Sequence, residues 1–255
     1  MTFSCRAKVK AMFTESFVFL FLLHLLGDFY LQTQSLAARK QKDFSAVLLH
    51  CGIYGICCLL VPLTYGIQAF DIFMAMVISH AAIDITKFFL LKDHSKDTSR
   101  PFIIDQLLHI AIIAVCAGFL SMQLPKSYVS NAAILLEKED INPSILLKGC
   151  TMVFFLAKPC NILLKYLLSD YRPAGNEIAK LGIQHTGASI GTVERLLIFL
   201  LIYMNQYAAI GLVLTAKSIA RFDRITKDQV FAEYYLLGTL LSACIAIFSY
   251  LLIFR

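Results

Sequence analysis

Hydrophobic runs recur along this chain, separated by short stretches that hold most of its charge. Each run has the roughly 20 residues that an α-helix, rising about 1.5 Å per residue, needs to cross a bilayer core. The pattern predicts up to seven spans, near 12–31, 45–66, 70–91, 101–123, 145–168, 194–216 and 232–253. The fifth carries Lys148, Lys158 and Lys165 with Pro159 inside it, which marks it for a break, a tilt or an interfacial position. The expected fold is therefore an all-α polytopic transmembrane bundle of six to seven spans. Residues 1–123 form a four-span unit, 124–144 a polar connection, and 145–255 the C-terminal spans with basic loops.

Composition agrees with this. The 255 residues are 58% hydrophobic and 16% charged, with a mean hydropathy of +0.71, too apolar for an ordinary soluble domain. Arg6, Lys8 and Lys10 precede the first run as in a signal peptide, but that run is too long and lacks a small-residue cleavage site, so it is expected to be retained. The net charge of +6 suits loops facing anionic headgroups and calls for no nucleic-acid partner. Eight cysteines lie mostly inside the apolar runs without metal-ribbon or disulfide-framework spacing, as expected of small packing residues.

Loops rich in lysine and arginine set orientation. Arg39, Lys40 and Lys42 follow the first run, and Lys92, Lys96 and Arg100 follow the third, which puts both loops in the cytoplasm. Glu137, Glu139 and Asp140 then fall outside. So do Arg6, Lys8 and Lys10, and Lys217, Arg221, Arg224 and Lys227, which the same rule disfavours. Either the fifth or sixth run does not fully cross, or Lys217 and Arg221 are functional groups drawn into the protein.

Inside the apolar runs stand three pairs of metal-ligand residue types at a spacing of four: His24 and Asp28, His80 and Asp84, Asp105 and His109, with His50 beside them. Residues four apart share a helix face. His24-Leu-Leu-Gly-Asp28 is followed after 21 residues by His50, and His80-Ala-Ala-Ile-Asp84 after 20 residues by Asp105, an echo that reads as a parallel repeat of two helical hairpins. All seven residues lie near the run ends that adjoin the loops of Arg39 and Lys96. They are placed to converge in one leaflet, below the expected cytoplasmic surface.

Ionisable groups in a span are costly and usually functional. Imidazole with carboxylate suits zinc, manganese or iron rather than magnesium or calcium. Seven potential ligands exceed one tetrahedral set, which fits two metals or one metal with carboxylates orienting the imidazoles. The leading expectation is a divalent-metal site, zinc or manganese, on His24, Asp28, His50, His80, Asp84, Asp105 and His109. Asp28, Asp84 and Asp105 are the candidate catalytic bases of a membrane hydrolase acting on a lipid-linked or small anionic amphipathic substrate, with membrane lipids as surroundings. Two alternatives use the same residues: a transit site of a metal-ion or proton transporter, and a hydrogen-bonded network locking a non-enzymatic membrane subunit.

Other polar residues are more ambiguous. Lys87, three after Asp84, is placed to pair with that carboxylate, to hold a substrate anion, or to snorkel to the headgroups. Gln32, Gln34 and Gln106 are candidate mouth-lining groups, whereas His94 and His185 read as loop residues. Glu194, Arg195, Asn205, Gln206 and Glu233 form a second polar set. Lys217 and Arg221 share a face and suit a phosphate or headgroup contact, or else ion pairs with Glu194 and Glu233. The segment Gly187-Ala-Ser-Ile-Gly-Thr reads as a flexible connection able to form an anion nest.

The stretches His-Leu-Leu-Gly-Asp-Phe-Tyr-Leu-Gln (24–32), Leu-Leu-His-Cys-Gly-Ile-Tyr (48–54), His-Ala-Ala-Ile-Asp-Ile-Thr-Lys (80–87) and Asp-Gln-Leu-Leu-His (105–109) resemble a family of bacterial membrane proteins catalogued as domain of unknown function 3307. The likeness continues through Glu194-Arg-Leu-Leu, Ala216-Lys-Ser-Ile-Ala-Arg-Phe222 and Glu233-Tyr-Tyr-Leu-Leu-Gly-Thr-Leu-Leu-Ser242, so it is expected to span nearly the whole chain. The resemblance implies a multi-pass protein of the bacterial cytoplasmic (inner) membrane and supports grouping the residues of the first four stretches, Lys87 among them, in one site. It implies no reaction.

Overall fold

The computed structural model of the protein describes residues 2–91, 99–123, 136–171 and 186–255, without the side chains of residues 2–11, 99, 170 and 186. His94, His185, Lys92, Lys96 and the side chains of Arg6, Lys8 and Lys10 lie outside the described residues, as does most of the 124–144 connection. No strand occurs among the described residues. Five helical stretches are long and apolar enough to cross a membrane: Met12–Tyr30, Phe44–Tyr65, Ile67–Leu91, Arg100–Gln123 and Gln229–Phe254. Counting one bent pair as a span makes six, so the chain is that of a multi-pass membrane protein. It divides into two units, Met1–Thr151 and Met152–Arg255.

The first unit is built from α1 (Thr2–Leu25), α2 (Gln34–Arg39), α3 (Phe44–Cys58), α4 (Leu60–Tyr65), α5 (Phe70–Leu91) and α6 (Ser99–Gln123). α1 packs on α6, α3 on α5, and α5 on α6. Leu20, Leu23, Cys57, Cys58, Val61, Ile72, Met76, Ile113, Cys116 and Leu120 fill the half of the bundle remote from the Arg39 loop. Outward positions such as Ile56, Leu63, Leu107 and Phe119 stay exposed and apolar. Apolar outside and polar inside is the arrangement expected where lipid is the solvent.

α1 does not end as a plain α-helix. Residues Leu26–Tyr30 form a π-turn, closed by Leu31 N–H donating to the Leu26 carbonyl at 2.8 Å. Such turns interrupt α-helices frequently at functional sites, and this one contains Asp28. Thr33 caps α2 by accepting from Leu36 N–H, and Asp43 caps α3 by accepting from Ser45 N–H. The hydroxyl and amide of Ser45 hold the Asp43 carboxyl below its ordinary pKa. These caps brace the short strap between the first two spans.

The second unit contains α8 (Lys158–Leu167), α9 (Thr186–Tyr203), α10 (Tyr207–Ile219), α11 (Phe222–Lys227) and α12 (Gln229–Phe254), while α7 (Pro143–Leu156) runs through the unit boundary. The expected fifth span is present as α7 and α8, bent by 40° at Ala157, just before Pro159. Proline cannot donate to the preceding turn.

The expected sixth span, 194–216, is not one helix. Asn205 takes a left-handed φ of 58°, and Gln206 N–H donates to the Leu201 carbonyl at 2.7 Å. This closes α9 with a Schellman-type turn in which asparagine takes the glycine position. Lys217 of α10 then pairs with Glu194 of α9. The pair lies about 14–15 Å from the turn along each helix, so the two can meet only if the chain doubles back. The 13 residues of α10 reach about 20 Å, short of the roughly 30 Å hydrocarbon core.

The expected nest at Gly187–Thr192 is likewise corrected, because these residues are the opening turns of α9. Gly191 is there for space. A Cβ on it would lie 3.1 Å from the Arg195 guanidinium, which folds back along its own helix.

Candidate metal centre

Each span of the first unit delivers its polar residues at the same end, one layer beyond the apolar core. α1 and its π-turn supply His24 and Asp28, α3 supplies His50, α5 supplies His80 and Asp84, and α6 supplies Asp105 and His109. All seven predicted residues come together. The four histidines, Asp84 and Asp105 are buried, none more than 6% exposed, and the Asp28 side chain is 11% exposed.

The centre of the cluster is His50 Nε2. Asp28 Oδ1 lies 3.0 Å from it, His80 Nε2 3.1 Å and Asp84 Oδ2 3.3 Å. His80 Nε2 lies 3.5 Å from Asp84 Oδ2. A neutral imidazole nitrogen offers either one proton or one lone pair, so it cannot satisfy three such neighbours. Four ligands about a zinc at roughly 2.0–2.1 Å stand about 3.4 Å apart along the edges of the tetrahedron. The observed separations bracket that length. Asp28, His50 and His80 form one group whose ligand atoms lie within 4.8 Å of one another, and His80, Asp84 and His109 form a second.

The His109 ring is oriented by its own helix. Its Nδ1 lies 2.8 Å from the Asp105 carbonyl, which leaves Nε2 buried, with no partner among the described residues. The Nδ1 atoms of His24, His50 and His80 and Oδ1 of Asp105 are also buried and unpartnered there. Each such atom costs about 1–3 kcal/mol when desolvated, against about 0.6 kcal/mol gained by an average interhelical hydrogen bond in a membrane protein. Of these five atoms, His109 Nε2 is the one in the central group that a bound ion would satisfy directly.

Around the centre lie groups that orient it. Gln106 donates through Nε2 to Asp28 Oδ2 at 3.2 Å and to Asp105 Oδ2 at 3.1 Å, while its Oε1 faces His24 Nε2 at 3.5 Å. Tyr54 lies flat against His80, and Gly27 is bare because a Cβ there would come within 2.7 Å of the Tyr54 ring. Lys87, expected beside Asp84, instead reaches Asp105 Oδ2 at 2.9 Å. The lysine on Asp84 is Lys40, at 2.8 Å. From the sequence Lys40 reads only as a loop charge, and Tyr54 is not among the candidate site residues. The signal for Tyr54 is its spacing of four from His50; nothing in the sequence ties Lys40 to Asp84.

Residues 16–136 match the family model described as protein of unknown function (DUF3307). The chain resembles that family over this stretch, somewhat less than half of its length, and the match does not reach the C-terminal motifs to which the likeness is expected to extend. The DUF3307 stretch contains every residue of the cluster, from His24 to His109, together with Lys40, Tyr54, Lys87 and Gln106. No curated protein and no solved structure matches the chain. The family description assigns no activity to the DUF3307 stretch, so its chemistry rests on the geometry of the cluster.

The second unit has a polar centre of another kind. Arg195 is buried and held by neutral acceptors: the Leu156 carbonyl at 2.8 Å, Asn161 Oδ1 at 2.6 Å, Thr192 Oγ1 at 3.2 Å and Ser242 Oγ at 3.3 Å. It thereby ties the α7–α8 break to α9 and α12, a structural use of a buried guanidinium. Lys217 is engaged by Glu194, and the charged ends of Lys217 and Arg221 lie 5.4 and 5.9 Å from the Tyr235 ring centre.

Proposed function

We propose that the first unit holds a divalent transition metal, zinc or manganese, and uses it as a membrane-embedded hydrolase on a lipid-linked or amphipathic substrate. The setting is the cytoplasmic leaflet of a bacterial inner membrane, on the charge pattern of the loops and the resemblance of the His/Asp motifs to bacterial membrane proteins. The observation that carries the reading is the convergence of Asp28, His80 and Asp84 on His50 Nε2 within 3.0–3.3 Å. Asp28, His50, His80 and Asp84 would hold the ion, with His109 Nε2 as a further donor.

A bound divalent ion lowers the pKa of water and polarises a phosphoryl or acyl oxygen. The chain supplies the rest. Asp105 keeps Oδ2 on Lys87 and Gln106, and its buried Oδ1 is free to accept a proton. Gln106 holds Asp28 and Asp105 at fixed separation. The Lys87 side chain, 36% exposed, is placed at the mouth to meet an anionic group.

Metal content of the purified protein after zinc or manganese loading is the first test, compared with His50→Ala and His80→Ala. About one ion per chain in wild type and none in the variants supports the reading; no stoichiometric ion in wild type overturns it. Hydrolysis of phospholipid and nucleotide ester panels is then set against metal uptake into sealed proteoliposomes. Uptake without hydrolysis would replace the hydrolase with a transporter.

A further inference from the structure

One oxygen of Asp84 is claimed twice. Oδ2 lies 3.3 Å from His50 Nε2 and 3.5 Å from His80 Nε2, as a ligand atom would. The same oxygen accepts from Lys40 Nζ at 2.8 Å. The Lys40 ammonium also donates to Gln32 Oε1 at 3.2 Å, a neutral and weaker anchor. Lys40 sits at the end of α2, on the strap from Thr33 to Asp43, with 16% of its side chain exposed. It therefore stands between the buried cluster and the surface beside the strap, which would be the mouth of the site.

Charge balance separates the two claims. Asp28, Asp84 and Asp105 bring three negative charges, and Lys40 and Lys87 neutralise two of them through Asp84 and Asp105. A divalent cation added beside both lysines would leave one positive charge in excess in a buried site, an unfavourable state. With Lys40 withdrawn the sum is zero. Lys40 rather than Lys87 is the group to leave, because its carboxylate faces two imidazoles of the cluster whereas Asp105 belongs to neither ligand group.

We infer that Lys40 and a divalent cation exclude one another at Asp84, and that the cation turns Lys40 out to the mouth, where its ammonium takes the anionic group of the substrate. This rests on the metal-site reading and adds a coupling to it: loading the centre adds a second anion contact to that of Lys87. Linked binding of this kind is reciprocal, so the anion in turn favours the loaded centre.

The test uses the full-length protein in detergent with zinc as the probe. Removing the competing charge in Lys40→Gln should tighten zinc binding about tenfold or more, while Lys40→Arg, which keeps it, stays near wild type. In wild type, acylation of Lys40 by an amine reagent, read by mass spectrometry against Lys42 as the reference, should rise several-fold with zinc and fall again with inorganic phosphate. Equal zinc affinity in wild type and Lys40→Gln, or zinc-independent labelling of Lys40, overturns the exclusion while leaving the metal site standing. Labelling that rises with zinc but ignores phosphate overturns the anion contact. Zinc bound by neither wild type nor Lys40→Gln overturns the metal reading itself.

Discussion

The Tyr54 ring lies on the His80 imidazole with centroids 3.6 Å apart and planes within 2° of parallel. The contact fixes the imidazole plane, and with it the line along which Nε2 points at His50. Tyr54→Phe keeps the stack and should leave zinc affinity within a factor of about three, whereas Tyr54→Leu should weaken it by about tenfold or more, as loss of an orienting neighbour does. Titration against a chromophoric chelator measures both.

Gly27 packs against the same tyrosine. Gly27→Ala forces a Cβ to 2.7 Å from the Tyr54 ring, so it should lower stability by about 1–3 kcal/mol. Gly52→Ala meets nothing within 4 Å and should change stability by less than about 1 kcal/mol, in the stabilising direction, because alanine is the better helix former. Thermal unfolding in detergent, run on both variants, separates crowding from a general effect of removing glycine.

Gln106 tests whether the surrounding hydrogen bonds serve the ligands. Gln106→Leu removes donors to Asp28 and Asp105 together and should reduce metal affinity about 10–100-fold. An unchanged affinity would show that Asp28 is held without it.

Arg195 offers a stability test in the second unit. Arg195→Met leaves the Leu156 carbonyl and Asn161 Oδ1 without the donor that serves them. At about 1–3 kcal/mol for each buried orphan, the expected loss is large enough to appear as a clear fall in melting temperature. Lysine at this position reaches fewer acceptors and should recover only part of it.

The helices of the first unit are legible in the sequence because lipid-facing length and apolar content specify a span almost alone. The grouping of the seven histidines and aspartates is legible too, because each sits near the same end of its run. Two features are not. The partners of the lysines depend on tertiary direction: spacing along its own helix points Lys87 toward Asp84, but it crosses to Asp105 on α6, while Lys40 arrives from a short strap with no periodicity to read. The doubling back of α9 and α10 hangs on one left-handed residue, Asn205, inside an otherwise apolar run. Hydropathy averages over such a residue, even though Asn205-Gln206 is visible as a polar interruption.

The π-turn at Leu26–Tyr30 gives the first span a change of phase. Upstream, Leu20 and Leu23 face the core; within the turn itself, Asp28 is brought to His50. Removing one residue within this turn would restore ordinary helical pitch and swing Asp28 away from His50, with the apolar run almost as long and as greasy as before. Insertion into the bilayer would survive such a deletion while the ligand cluster lost a member, so membrane anchoring and site assembly are separable properties of the same twenty or so residues.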